Sequence, residues 1–377
     1  MVDFEQGLRY NIYRRDVHFR NVPRGTNFTG CYILGDFYDG AKLLSLTDIN
    51  GSKPEIYMCT TNRSGGKTTW FNRYCLKRFI NYGEKFMLLY RYNYELDDCA
   101  NKFFKDISSL FFPGHEMTDQ RRAKGIFYEL FLDGVNCGYA VSINSADQIK
   151  KYSHFFSDTV RMVMDEFQSE TNHYCADEVK KFRSVHTSVA RGQGAQSRYV
   201  PVYMLSNPVT LLNPYYVAMN ISSRLTDNVK FLRGEGWVLE QGYVDAASKA
   251  QASSAFNRAF SGDTYDTYLT QAVYLNDSSA FIEKPEGNSR YLGTLRYMGK
   301  EYGLREFADS GVIYCDDRPD TSYKFKLAVT TDDHRVNYVM LKSYAMFLDN
   351  MRYYFDRGAF RFKNLMCKEV ILKALSY

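Results

Sequence analysis

Thr60-Thr61-Asn62-Arg63-Ser64-Gly65-Gly66-Lys67-Thr68-Thr69 follows the apolar run Ile56-Tyr57-Met58-Cys59. A short apolar strand, a Gly/Ser turn and a Lys-Thr-Thr helix start are the layout of a phosphate-binding loop. Gly65 and Gly66 let backbone N–H groups turn inward around an anion, where a Cβ would intrude. Lys67 would reach the β- and γ-phosphates of a nucleotide and the Thr68 hydroxyl would ligate Mg²⁺, with Arg63, Ser64 and Thr69 completing the cradle. A helix opening near Thr68 would add its positive dipole end to the same anion. The usual spacing is G-x-x-x-x-G-K-[ST], and here Thr61 replaces its first Gly. Taken alone, the stretch also suits a glycine-rich turn before an ordinary helix.

A chain of 377 residues exceeds what one core normally fills, so two domains are expected. The 45% hydrophobic and 24% charged content is that of a globular protein. A net charge of +5 is only mildly basic, so a polyanion would have to be held by local clusters. The load of 32 Tyr and 27 Phe fits either base stacking or the codon usage of an AT-rich genome. Eight scattered cysteines form no C-x-x-C, and His173 and Cys175 have no partners for a zinc set, which points to buried thiols in a reducing compartment. The opening MVDFEQGLRY has no apolar signal region, and no apolar run approaches about 18 residues. An intracellular chain that does not span a membrane is expected.

The pattern along the chain predicts an α/β fold: strands alternating with helices, hence a mainly parallel sheet with helices on its faces. Residues 1–36 read as an N-terminal extension, and a short helix is expected over 38–46. A helix from 68 to about 81 is stopped by Asn81-Tyr82-Gly83, followed by a buried strand over 86–92 and a helix over 96–112. Asp133-Gly134 between two apolar runs signals a two-residue hairpin. Strands over 160–164, 200–205 and 237–240 and a helix over 178–190 complete a domain spanning 37–244. The Ala/Ser-rich stretch over 245–260 reads as the start of a small helical linker that spans 245–278. Residues 279–377 form an α+β module, with strands over 291–297, 301–307 and 312–315 and helices over 339–355 and 364–374.

Three further elements bear on chemistry. Val163-Met164-Asp165-Glu166 is an apolar strand ending in two carboxylates, the Walker B pattern: Asp165 would hold Mg²⁺ and Glu166 would polarise the attacking water. Acidic caps also end ordinary strands. The strand ending at Ser206-Asn207 could place Asn207 as a γ-phosphate sensor, although Ser-Asn before Pro is also a common turn. Arg191, in the polar loop Ala190-Arg191-Gly192-Gln193-Gly194, could reach a neighbouring subunit's site or could be a solvated loop residue. An arginine finger contributes roughly 10³–10⁵ in rate.

These motifs and their order resemble the DNA-packaging motor ATPase of small tailed phages of the phi29 type, a relative of terminase large subunits. The similarity runs from about Phe37 to the C-terminus. It is carried further by LLYRYNYEL over 88–96, MDEF over 164–167, MLSNPVTLLNPYY over 204–216, FIEK over 281–284, TTDD over 330–333 and GAFRF over 358–362. The resemblance implies an ASCE-type P-loop ATPase domain using ATP and Mg²⁺, and a C-terminal RNase H-like α+β domain. It places the family's trans-acting arginine on Arg191. It further implies ATP-driven translocation of double-stranded DNA by a ring of five subunits docked on the portal of a procapsid in the host cytoplasm, with a structural packaging RNA as a partner. Such a nuclease needs a carboxylate on its first strand, where this chain has Thr294 and Arg296, and Asp316, Asp317 and Asp349 make an incomplete set. The module is therefore expected to be inactive, with a residual binding role for Arg352, Arg357, Arg361, Lys363, Lys368 and Lys373 among their aromatic neighbours.

Overall fold

The computed structural model describes residues 37–171, 173–192, 194, 196–222, 224–225, 229–259 and 280–376. The expected N-terminal extension and linker residues 260–279 lie outside them. The chain divides into two compact units, Met1–Gly35 and Asp36–Tyr377, and everything below belongs to the second.

After α1 (Ala41–Leu44) come β1 (Ile56–Thr60), α2 (Lys67–Tyr82), β2 (Lys85–Tyr90) and α3 (Cys99–Phe111). The chain continues through β3 (Met117–Arg122), β4 (Phe127–Leu132), β5 (Val135–Ser142), α4 (Ala146–Ile149), β6 (Thr159–Met164) and α5 (Glu178–Val189). β7 (Val202–Ser206), α6 (Pro214–Ala218), β8 (Phe231–Gly234) and β9 (Trp237–Gln241) complete a nine-stranded sheet of order β3-β4-β5-β2-β6-β7-β1-β9-β8. The six strands from β5 to β9 run parallel; β3, β4 and β8 add antiparallel edges.

Strands buried on both faces need continuous apolar runs, and β1, β2 and β7 have them; β6 is interrupted by the buried Arg161, whose charge is met by Glu84. α2 buries Phe71, Cys75, Leu76 and Phe79 on one face of the sheet, while α5 buries Phe182, Val185 and Val189 on the other. α2 ends where the sequence predicts, at Gly83 with φ 68°. Asp133 (φ 50°) and Gly134 (φ 78°) make the expected turn between β4 and β5. Gly138 on β5 faces Phe86 of β2, and a Cβ there would stand 2.1 Å from the Phe86 carbonyl oxygen. β3, with the sequence MTDQRR, has no strand-like alternation and exists through its pairing with β4.

Beyond α7 (Asp245–Ser253) and α8 (Ala255–Ala259), a second sheet is built from β10 (Arg290–Tyr297), β11 (Lys300–Phe307), β12 (Val312–Asp316), β13 (Lys326–Ala328), β14 (Val339–Met340) and β15 (Phe360–Phe362). Its order is β14-β13-β10-β11-β12-β15. α9 (Ala345–Asp356) and α10 (Leu365–Leu375) supply its core with Leu348, Met351, Val370 and Ile371. The helix expected over 339–355 is thus shorter: Val339-Met340 is drawn into the sheet beside Leu327-Ala328, and the helix starts at Ala345. Tertiary pairing overrides a pattern that suits either state. Val217 of α6 and the preceding Leu212 pack into this second core, so the segment after β7 touches both sheets.

Candidate nucleotide-binding site

β7 lies between β1 and β6, which brings the C-terminal ends of all three strands to one edge. Thr61–Gly66 leaves β1 there as a loop; Ser64 (φ 62°) and Gly66 (φ 89°) are both left-handed, the alternation that turns successive N–H groups inward. A Cβ on Gly66 would sit 3.2 Å from Phe37, which covers the loop, and Tyr38 N–H donates to the Gly65 carbonyl. α2 begins at Lys67, with Thr69 half-buried in its first turn.

Thr61, the departure from the usual motif, is fully buried. Its methyl would be 3.0 Å from a Cβ on Gly242 and its hydroxyl 3.1 Å from one on Gly65. The chain makes room for the extra side chain by having glycine at both contacts. The Asn62 side chain donates to the Val244 carbonyl and accepts the Val244 N–H, and Gln251 of α7 donates to Ser64 Oγ, so the loop is clasped by the segment that leaves β9.

Lys67 is 8% exposed and its Nζ donates to Asn207 Oδ1 at 2.8 Å. Asp165 and Glu166 follow β6 at the strand edge, reachable by solvent yet closely surrounded by protein. The Thr68 side chain lies beside the Asp165 carboxylate. Desolvation raises the Asp165 carboxyl pKa, against the lowering pull of Lys67 and of hydrogen bonds from Thr68 and the Glu166 N–H. Glu166 is also raised, by desolvation first and then by Asp165 and Glu170, against Arg63 and Lys67. Arg63 pairs with Glu170 at 3.4 Å. One lysine, one Thr–Asp pair and a carboxylate with weakened acidity thus surround an N–H-lined loop, an arrangement suited to holding a polyphosphate with a hard cation and activating water beside it.

A family model for the podovirus DNA encapsidation protein (Gp16) matches residues 35–376. The chain belongs to that family. It is 27% identical over 338 residues to the DNA packaging protein of Bacillus phage phi29, covering 89% of this chain and 95% of that protein. With the DNA packaging protein of Bacillus phage B103 it shares 27% identity over 312 residues, 82% of this chain and 92% of the other. Among solved structures it resembles a chain of the bacteriophage phi29 viral genome packaging motor assembly: TM-score 0.66, 25% identity, 90% of this chain and 99% of that one.

In this encapsidation-family chain the structure brings together Arg63, Ser64, Gly65, Gly66, Lys67, Thr68, Asp165, Glu166 and Asn207. Arg191 stands apart: it lies just past α5, exposed, and its Nε donates to the Thr187 carbonyl of its own helix. Among the described residues it makes no hydrogen bond or ion pair with Lys67, Asp165 or Glu166. Sequence reasoning missed Arg91 and Glu178, a buried ion pair beside Glu166, and Gln168, whose carboxamide oxygen accepts from the Val209 and Thr210 N–H groups. The only signal for the first pair was an arginine directly after a buried strand.

In the second sheet, Thr294 is fully buried and Arg296 lies 3.8 Å from Glu301. Asp316 pairs with Arg305, Asp317 with Lys363 and Asp349 with Arg352. Among the described residues no group of three His, Cys, Asp or Glu side chains could hold a metal. The basic residues expected to form a binding face are partly occupied: Arg361 pairs with Glu283, Arg357 lies over Tyr353 and Lys368 donates to the Ala280 carbonyl. Seven cysteines are free and buried, as expected of them; Cys31 lies outside the described residues. No described helix is long and apolar enough to cross a membrane.

Proposed function

We propose that this chain is the ATPase of a viral DNA-packaging motor, driving double-stranded DNA into a procapsid. The observation that carries the reading is the contact between Lys67 and Asn207, 140 residues apart, at the strand edge where the phosphate loop and Asp165-Glu166 also end. A lysine with its charge largely buried has a reason to be there when an anion completes its surroundings. ATP would lie with its phosphates in the loop of residues 63–69, Lys67 against the β- and γ-phosphates and Asn207 reading the γ-phosphate. Thr68 and Asp165 would hold Mg²⁺, which supplies neutralising charge at the phosphate oxygens. Glu166, with its raised pKa, takes the proton of the attacking water.

Family membership supports a ring of five subunits at the portal vertex in the host cytoplasm, with DNA in the channel and a packaging RNA as a structural partner in the docked state. Arg191, exposed on a loop of one subunit, would complete the next subunit's site. DNA would be gripped through its phosphates, so binding should weaken steeply with salt and ignore sequence. The antiparallel β10–β11–β12 meander with β13 and β14 parallel beside β10 supports an RNase H-like module, and its neutralised carboxylates support an inactive one. Residues 1–36, 37–244, 245–278 and 279–377 would then be extension, ATPase, linker and nuclease-like domain. ATPase activity of the purified chain, with and without linear double-stranded DNA, tests the reading. Hydrolysis that rises with DNA and falls to background in Lys67→Ala is expected; a Lys67→Ala rate equal to wild type would overturn it.

A further inference from the structure

Glu166 has φ 54°, a left-handed backbone that a non-glycine residue holds only when its surroundings dictate it. Its N–H is taken by Asp165 Oδ1 at 3.0 Å and the next N–H, of Phe167, by the Leu205 carbonyl. The two carbonyls on the other side of this turn converge on one group: Arg91 Nη2 donates to Glu166 O at 3.2 Å and to Phe167 O at 3.0 Å. The same guanidinium directs its Nε to both oxygens of Glu178, at 3.1 and 2.9 Å. Arg91 is 10% exposed and Glu178 is 1% exposed at the side chain. Glu178 is in turn held by Tyr215 Oη at 2.9 Å and the Cys175 N–H at 2.9 Å. Arg91 itself is tied down: its N–H donates to Glu95, and its carbonyl accepts from Ser142 and Asn144.

Resting on the reading of Glu166 as the base of the ATPase, we infer that Arg91, clamped by Glu178, is a positioning residue that sets the turn from which the Glu166 carboxylate is aimed. Two successive carbonyls fixed to one rigid fork leave the Glu166 backbone a single orientation. Its Cα–Cβ vector, and hence its reach toward water in the loop, follows from that. The fork geometry matters, because a lysine ammonium is a point donor that cannot serve Glu178 and two carbonyls in the same plane. Arg91 touches neither Lys67, Thr68 nor Asp165 through any hydrogen bond among the described residues, so nucleotide binding is not its task. Glu178 is also the first residue of α5, the helix that ends just before Arg191. The pair therefore joins the base of one site to the helix carrying the exposed arginine.

The test uses the full chain with DNA-stimulated ATPase as the readout. Arg91→Lys keeps the buried charge opposite Glu178. It should lower kcat about 10- to 100-fold while KM, and the affinity for a fluorescent non-hydrolysable ATP analogue, stay within about two-fold. Glu166→Asp, a shorter base with residual turnover, provides the second arm. If Arg91 acts through Glu166, adding Arg91→Lys to Glu166→Asp should cost less than about two-fold more. Losses that multiply, a kcat near wild type, or a loss confined to KM would each overturn this inference while leaving the ATPase standing. A wild-type chain without ATPase activity would overturn both, and Glu166→Asp at the wild-type rate would overturn Glu166 as the base and this inference with it. Should Arg91→Lys not fold, Tyr215→Phe removes one hydroxyl from Glu178. It should give a loss of about two- to five-fold in kcat, absent in the Glu166→Asp background; additivity there counts against the proposal.

Discussion

Burial lowers the pKa of the Lys67 ammonium, and the nearby Asp165, Cys59 and Glu166 pull it back up. Asp165 and Glu166 are pushed the other way, so the three groups of the site are each held away from their ordinary acidity. In the proposed ATPase site, Glu166→Gln should keep ATP affinity yet lose about 10²–10⁴ in turnover, because it would remove the proposed proton acceptor and leave the proposed phosphate and cation ligands. Lys67→Ala should show the reverse order, with affinity for ATP falling about 10- to 100-fold, as equilibrium binding would record. Raised carboxylate pKa values also carry a sign for stability. The folded chain binds these protons more tightly than the unfolded chain, so stability falls as pH rises from the ordinary carboxylate range through the raised values. Asp165→Asn should therefore raise the Tm of the nucleotide-free protein at neutral pH, with the gain fading below the ordinary Asp range. A melt at neutral pH in which Asp165→Asn is the less stable protein would contradict this.

At the scale of elements, the site is made by β7 lying between β1 and β6, because that order places Asn207 beside Lys67. The loop after β1 is then packed from below by Gly242, which follows β9 and donates its N–H to the Thr60 carbonyl at 2.7 Å. Thr61 and Gly242 form a size-matched pair: the methyl of one occupies the space a side chain on the other would need. Gly242→Val should cost about 1–3 kcal/mol by overpacking. Thr61→Gly should by itself cost about 1 kcal/mol through chain entropy and lost burial. In the double variant the two losses should not add, since each removes the other's clash or void. Urea unfolding of the three variants measures this, and strict additivity would show that the pair is not coupled.

At the scale of the whole molecule, two sheets with separate cores meet through Leu212 and Val217, on the segment that leaves β7. The second sheet brings its carboxylates to basic partners, each of Asp316, Asp317 and Asp349 being paired within its own module. Supercoiled and linear DNA should survive incubation with the protein and Mg²⁺ or Mn²⁺. Metal-dependent nicking abolished by Asp316→Ala would establish an active nuclease. The exposed Arg191 invites a test of assembly: Arg191→Ala subunits mixed with Glu166→Gln subunits should recover part of the DNA-stimulated ATPase. The recovery arises only at junctions where an intact Glu166 meets a neighbour's intact Arg191. A flat response at every mixing ratio would remove Arg191 from the neighbouring site and leave Lys67, Asp165 and Glu166 in theirs.

What the sequence determined by itself was whatever depends on residues close along the chain. The Gly65-Gly66-Lys67-Thr68 turn into α2, the stop at Gly83, the Asp133-Gly134 hairpin and the apolar strands with their terminal Asp165-Glu166 and Asn207 all follow from local backbone and side-chain chemistry. Tertiary structure decided what depends on partners far away. β3, β8, β13 and β15 are too short or too polar to announce themselves, and they exist because a neighbouring strand offers its N–H and C=O groups. Thr61 reads as a defect in the motif until Gly242, 181 residues on, is seen to make room for it. Arg91 looks like one charge in an aromatic run, and only folding brings Glu178 and the Glu166 turn within hydrogen-bonding distance of it. Burial and pairing are properties of the folded neighbourhood, and a side chain's desolvation is not written in its own sequence position.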